Sequence, residues 1–221
     1  EGRLESILQK GIIRRNPHQA FGSHWLVQRE LHPDVPFGVR GGILADDMGL
    51  GKTIQMISLM CANRVPSTLI VVPLALIHQW QSEINKFSEL EVIIYHGQAR
   101  ARMPISLIRA ADVVITTYGE ITRFGSDIAR VPWNRLIFDE AHHLRNKKTR
   151  KHKAAAALAR ESTWLITGTP INNSIKDLVN LLRICRVPLE VTLREDFVAV
   201  IAPQFILIRT KARLLQRCGT N

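Results

Sequence analysis

The residues best suited to chemistry lie in two clusters. The first is Gly41-Gly42-Ile43-Leu44-Ala45-Asp46-Asp47-Met48-Gly49-Leu50-Gly51-Lys52-Thr53. Glycines at 49 and 51 let backbone N–H groups close around phosphate oxygens, and a helix beginning near Lys52 adds its positive N-terminal end. In that arrangement Asp47, Met48, Gly49, Leu50 and Gly51 line the phosphates. Lys52 reaches the β and γ positions, and the Thr53 hydroxyl holds a bridging Mg²⁺. The pattern G-x-x-x-x-G-K-[ST] asks for glycine at position 46, where this chain carries Asp46. The second cluster is Asp139-Glu140-Ala141-His142. There Asp139 would hold Mg²⁺ through water, and Glu140 would orient and deprotonate the water that attacks a γ-phosphate. Taken alone, the same four residues also suit a polar strand-to-helix cap. His142 is either a relay from the site to neighbouring loops or simply a hydrogen-bonded neighbour.

Both clusters need a rigid frame, and the apolar pattern supplies one. Val- and Ile-rich runs at Thr68 to Val72, Val92 to Tyr95, Asp112 to Thr116, Leu136 to Asp139 and Thr163 to Thr167 read as buried parallel strands. Lys52 to Cys61, Leu74 to Phe87, Thr149 to Ala159 and Ile175 to Ile184 carry apolar residues at helical spacing. Such alternation predicts an α/β fold, a mainly parallel sheet with helices on both faces, with ligands at the strand C-terminal ends. Beyond Arg186 the pattern weakens into a Pro188 break, a short helix near Arg194 to Val200 and an apolar run at Gln204 to Ile208, which predicts a tail leading away from the core.

With 221 residues and 46% apolar content, the composition is that of an ordinary globular chain. No apolar run is long enough for a membrane span, and Glu1 to Arg15 has no signal-peptide core, so no membrane role is expected. Cys61, Cys185 and Cys218 lie far apart without a C-x-x-C pair, a spacing that suggests neither zinc nor disulfides. Thirty Lys and Arg against 19 Asp and Glu give a net charge of +11, which fits a polyanionic partner or a basic solvated surface. The run Lys147-Lys148-Thr149-Arg150-Lys151-His152-Lys153 offers the same choice: a grip on phosphates, or the solvated start of a helix.

The segment 41–53 resembles, almost letter for letter, motif I of the Swi/Snf-like ATPases of helicase superfamily two, a family of chromatin remodellers and repair translocases, including its acid where the common phosphate loop has glycine. The likeness extends over nearly the whole chain. Pro17-His18-Gln19 with Gly22, Trp25 and Leu26 resembles the family's Q-motif region, which implies that Gln19 reads the adenine edge and selects ATP, with Trp25 a core anchor. Leu69 to Leu74 with Gln79-Trp80 is similar to motif Ia, and Asp112 to Tyr118 to motif Ib. By that resemblance Pro73, Thr116, Thr117 and Tyr118 are expected to touch a nucleic-acid backbone without reading bases, and the basic run adds Lys147 and Lys148 as candidates. Trp80 reads as a buried helix residue more readily than as a base-stacking one. Thr167-Gly168-Thr169-Pro170 resembles motif III, so Thr167, Gly168 and Thr169 are expected, with His142, to couple the nucleotide state to the DNA-facing loops. Asn172-Asn173 and Arg209-Thr210-Lys211 continue the likeness.

The resemblance implies three divisions: an N-terminal extension and Q-motif helix over 1–30, a three-layer RecA-like ATP-binding lobe over 31–186, and a segment over 187–221 leading toward a second lobe. It implies Lys52, Asp139 and Glu140 as the catalytic set, ATP and Mg²⁺ as cofactors, duplex DNA as the track, a nucleosome or other DNA-bound protein as a further partner, and a nuclear setting. In the family the second lobe supplies arginines across the cleft, worth about 10³ or more in rate, so this lobe alone should bind nucleotide and hydrolyse it poorly. A nucleotide-gated DNA-binding module without turnover, and an RNA or DNA helicase, are the alternative readings.

Overall fold

The computed structural model describes residues 16–168, 174–212 and 214. Among these the regular elements are α1 (Pro17–Leu31), β1 (Gly41–Leu44), α2 (Lys52–Ala62), β2 (Thr68–Val72), α3 (Ile77–Phe87), β3 (Val92–Ile94), α4 (Ile105–Ala110), β4 (Val113–Thr117), α5 (Tyr118–Ile121), β5 (Trp133–Phe138), α6 (Arg150–Ala157), β6 (Arg160–Ile166), α7 (Ile175–Ile184), α8 (Leu189–Thr192) and β7 (Ile206–Leu207). One sheet runs in the order β3-β4-β2-β5-β6-β1-β7 with every pairing parallel.

A parallel sheet covered on both faces requires strands that are apolar on both sides, and here the alternation sorts them between two cores. Ile43, Leu69, Val71, Val114, Leu136, Phe138 and Leu165 meet α7 through Leu178, Leu181 and Leu182. Leu44, Ile70, Val72, Ile115, Ile137 and Ile166 meet α1, α2 and α3 through Leu26, Met56, Met60, Ile77, Trp80 and Ile84. Two helices on the α7 side begin where a short polar side chain holds a free amide: Thr149 accepts from the His152 amide at α6, and Ser174 from the Asp177 amide at α7. Register then sets the site, because Leu44 pairs with Ile166 and Leu165 with Phe138. The loops after β1, β5 and β6 therefore leave the sheet at one level.

The opposite end of the central strands is closed by a buried ion pair. Arg135 of β5 donates through Nε to Glu30 Oε1 (2.7 Å) and through Nη2 to Oε2 (2.5 Å). Trp164 Nε1 (2.7 Å), Asn63 Nδ2 (2.8 Å) and Ser162 Oγ (3.0 Å) donate to the same carboxylate. Burial would raise the Glu30 carboxyl, but the Arg135 charge and these donors outweigh it and hold the group below its usual range.

The fold is the α/β, parallel, RecA-like arrangement expected, with helices on both faces. The short strands differ from the expected ranges by a few residues at their ends, β5 beginning at Trp133 and β6 at Arg160. Two strands lie outside the expected set. β1 begins at Gly41-Gly42, which dilutes any strand signal, and β7 pairs Ile206 and Leu207 with Ile43 and Leu44. The expectation that the tail leads away from the core is corrected by β7. Phe197, Ile201, Ala202 and Phe205 are buried in the main core, so the apolar run is the seventh strand's anchor. Among the described residues no helix is long and apolar enough to cross a membrane.

Candidate functional site

The loop between β1 and α2 is held open from behind. Gly49 (φ 83°) and Gly51 (φ 80°) take the left-handed conformation that side-chain-bearing residues avoid, and Gly51 is the N-cap of α2. Its carbonyls are tied down: Leu50 O accepts from Gln19 Nε2 and Gln55 Nε2 (3.4 Å each), and Gly51 O accepts from Gln55 Nε2 (3.2 Å). The amides of Met48, Gly49, Gly51, Lys52 and Thr53 donate to no acceptor among the described residues. Carbonyls bound behind and amides free in front make an anion cradle at a helix N-terminus. Lys52 Nζ lies on Asp46 O (2.7 Å) and Asp47 O (3.2 Å), carbonyls whose hold on it is weak beside that of a phosphate. Burial lowers the Lys52 ammonium below the usual lysine value, against the opposing charges of Asp46, Asp139, Glu140 and Asp47.

Asp46, the departure from the common loop pattern, is fully buried. It is met by Arg209: Nε donates to Oδ1 (2.9 Å) and Nη2 to Oδ2. The acid is thus a structural carboxylate facing away from the cradle.

Asp139 follows β5, its carboxylate fixed by two donors: Trp80 Nε1 to Oδ2 and the Glu140 amide to Oδ1, each at 2.8 Å. Burial raises this carboxyl above the usual aspartate value, opposed by those two hydrogen bonds and by Lys52. Glu140 adopts the left-handed region (φ 49°, ψ 50°), a conformation costing about 1–3 kcal/mol for a residue with a side chain. That twist turns its carboxylate to His142, whose Nδ1 lies 3.1 Å from Oε2, while the Glu140 carbonyl accepts from the His143 amide (3.2 Å). Strain of this kind concentrates at functional sites.

A cleft of about 780 Å³ joins the two clusters, lined by Gln19, Gly49, Lys52, Thr53, Asp139 and Glu140 on one side and by α3 residues such as Gln79 and Lys86 on the other. Its volume suits a nucleotide. Lys52, Thr53, Asp139, Glu140 and Gln19 therefore come together as expected, with Asp47, Met48 and Leu50 in the loop. Thr167 and Gly168 follow β6 between the two clusters; the Thr167 amide donates to Leu44 O (3.1 Å), and Gly168 lies against Met48. Thr169, Pro170, Asn172 and Asn173 fall outside the described residues. Among the described residues no group of three or more His, Cys, Asp and Glu could hold a metal. A cation here would rest on Thr53, Asp139, phosphates and water, as Mg²⁺ with its preference for few protein ligands does.

The nucleic-acid expectation divides. Lys147 and Lys148 are exposed. Thr116 and Tyr118 are corrected: both are buried, the Thr116 hydroxyl donates to Tyr95 O (2.8 Å) and the Tyr118 hydroxyl to Asp139 O (2.7 Å). Thr117 is also buried and caps α5 by accepting from the Glu120 amide. Hydroxyls committed inward are not offered to a phosphate track. The bases of the basic run also divide, since Lys151 lies 5.6 Å over the Tyr118 ring. Trp80 is buried as expected, but its N–H on Asp139 carries no sequence signal beyond the Ile77, Trp80, Ile84 spacing that buries it. Trp25 packs edge-on to Trp164 at 5.7 Å.

An all-parallel α/β sheet thus carries a glycine-bearing loop after β1 and an acidic pair, with Glu140 in the left-handed region, after β5, at one end of its strands. Residues 18–211 match the SNF2-related domain, and the chain belongs to that family. It is 35% identical to the DNA repair protein RAD5A of Arabidopsis thaliana over 210 residues, 67% of this chain and 20% of that protein. It is 30% identical to human Chromodomain-helicase-DNA-binding protein 7 over 202 residues, 81% of this chain and 6% of that one. The SWI2/SNF2 ATPase core of Sulfolobus solfataricus, solved in complex with dsDNA, superposes with a TM-score of 0.75 at 28% identity, covering 88% of this chain and 44% of that core. The chain thus spans a fifth or less of those two relatives and under half of the solved core.

Proposed function

We propose that this chain is the ATP-binding lobe of a DNA-dependent ATPase that translocates on duplex DNA and remodels protein–DNA complexes. The observation that carries this is the convergence of the Gly49–Thr53 cradle and the Asp139–Glu140 pair on one cleft, in a chain of the SNF2-related family. The loop amides and Lys52 bind the polyphosphate, and Gln19 bounds the cleft on the base side. Thr53 and Asp139 would hold Mg²⁺, which when bound neutralises charge on the β and γ phosphates. Glu140, turned into the cleft by its left-handed backbone, orients the attacking water and takes its proton. His142 on the Glu140 carboxylate and Thr167 between the two clusters are placed to pass on loss of the γ-phosphate. Lys147, Lys148 and Pro73 remain the proposed contacts with the DNA backbone, and a nuclear setting follows the same reading. On the same reading a second lobe supplies arginines that complete the site.

Steady-state ATP hydrolysis with and without duplex DNA, single-stranded DNA and RNA, in the presence and absence of a second-lobe fragment, tests the proposal. Stimulation by duplex DNA, requiring the second lobe and lost in Lys52→Ala and Glu140→Gln, is expected. ATP binding with no turnover in any combination would make the chain a nucleotide-gated DNA-binding module, and stimulation by RNA alone would replace the track.

A further inference from the structure

The segment after β7 packs along the phosphate cradle. After β7 the pairing with β1 continues into the loop: the Ala45 amide donates to Leu207 O (2.8 Å), the Asp47 amide to Arg209 O (3.0 Å), and the Lys211 amide to Asp47 Oδ2 (2.9 Å). Residues 207, 209 and 211 are thereby laced to Ala45 and Asp47.

Arg209 joins both flanks of the cradle. Besides its fork on Asp46, Nη2 donates to Gln55 Oε1 (2.7 Å), and Nη1 donates to the carbonyl of His18 in the helix that carries Gln19. Gln55, so oriented, turns its amide N–H groups to Leu50 O and Gly51 O. Space for this is made by Gly22 of α1. A β-carbon there would lie 1.8 Å from Gln55 Oε1 and 2.6 Å from Arg209 Nη2. One guanidinium therefore fixes the start of the loop through Asp46, its end through Gln55 and the base-side helix through His18. Lys211 extends over the front: its Nζ lies 3.4 Å from where a β-carbon on Gly49 would stand.

We propose that residues 207–211 are a strap holding the cradle in its phosphate-binding shape, with Arg209 a positioning residue and Lys211 an additional cation for the polyphosphate. The inference rests on the nucleotide reading above and extends it. It accounts for the acid at position 46, since a buried carboxylate is tolerable only beside a partner such as Arg209.

The test is titration of a fluorescent ATP analogue into the wild-type chain and into Arg209→Lys, Arg209→Ala, Lys211→Gln and Lys52→Ala, with thermal unfolding and backbone hydrogen exchange on each. Arg209→Lys keeps the charge and the fold but loses the fork, and should weaken binding about tenfold, the scale of one charge-assisted contact. Lys211→Gln should weaken it about threefold and flatten its salt dependence. Nucleotide should slow exchange of the amides at 45–47 and 209–211 together in the wild type and not in Lys52→Ala. Should Arg209→Ala not fold, Arg209→Lys carries the measurement. Wild-type binding with unchanged affinity in Arg209→Lys and Lys211→Gln overturns the strap and leaves the nucleotide site standing. Variants that melt earlier yet bind normally when folded reduce Arg209 to a structural residue and overturn the strap likewise. No binding by the wild type fails the nucleotide reading and the strap with it.

Discussion

Two buried carboxylate–arginine pairs hold opposite ends of the same sheet, and they differ in what surrounds them. Glu30 and Arg135 are 3% and 1% exposed, and the other donors to the Glu30 carboxylate are Ser162 and Trp164 of β6 and Asn63 at the C-cap of α2. Asp46 is fully buried and Arg209 11% exposed, and their further partners are a loop, a helix carbonyl and Gln55. The first pair closes one end of the central strands. The second has the same chemistry but lies where the chain must receive a ligand, so its partners are groups whose positions the ligand uses. A buried ion pair is thus a lock or an aligning device according to the stiffness of what it touches.

The largest expected effect tests the lock. Arg135→Met leaves Glu30 buried without its counter-charge and should cost about 3–5 kcal/mol of unfolding free energy by urea titration, with nucleotide affinity of the folded fraction unchanged. Adding Glu30→Gln should recover a large part of that loss, because the uncompensated charge and not the missing bond dominates it. A nucleotide affinity that falls with Arg135→Met would dissolve the contrast between the two ends.

Trp80→Phe comes next. It keeps the ring in the core and removes the N–H on Asp139 Oδ2, a bond to a charged acceptor worth about 1.5–3 kcal/mol. That bond holds the Asp139 carboxyl down against burial, so its loss should move the acid limb of Mg²⁺-dependent nucleotide binding to higher pH. The sign for stability is opposite. A carboxyl already raised in the folded state takes up protons there before the unfolded chain does, so stability falls as pH rises from the ordinary aspartate value through the raised one. An acid limb that stays in place would make Trp80 a packing residue only. Gly22→Ala is a smaller perturbation. Helix propensity favours alanine by about 1 kcal/mol, while Gln55 and Arg209 must move to admit it. Melting temperature should change little and ATP affinity should drop severalfold.

What the sequence disclosed and what it hid follow from range. β-strands such as β2 and β4 were legible because a parallel sheet buried on both faces needs runs such as Leu69-Ile70-Val71-Val72, and the cradle because Gly-Leu-Gly-Lys-Thr is a local device. β1 and β7 were not, since Gly41-Gly42 breaks the apolar run and β7 is only two residues long, made a strand by its neighbour. The roles of Trp80, Tyr118 and Arg209 depend on contacts over 59, 21 and 163 residues, which no spacing rule spans. Motif likeness placed Thr116 and Tyr118 on a DNA surface because it records which residues recur, while the direction of a side chain is set by which face of β4 or α5 it occupies.

The smallest expected effect lies in the cradle itself and comes from Lys52. Burial holds its ammonium below the ordinary lysine value, so in the window between the lowered value and 10.5 the folded chain carries fewer protons than the unfolded one. Stability therefore rises with pH across that window, as the penalty of the buried charge is relieved. Nucleotide affinity should run the other way, because the phosphates need the charged form. Binding must then draw a proton onto Lys52. Calorimetric titration with ATP in two buffers of different ionisation enthalpy, at alkaline pH, should register uptake of a fraction of one proton. Lys52→Arg, charged throughout, should register none if Lys52 is the source. Equal uptake in both chains would move the titrating group elsewhere in the cleft and leave Lys52 a fixed charge.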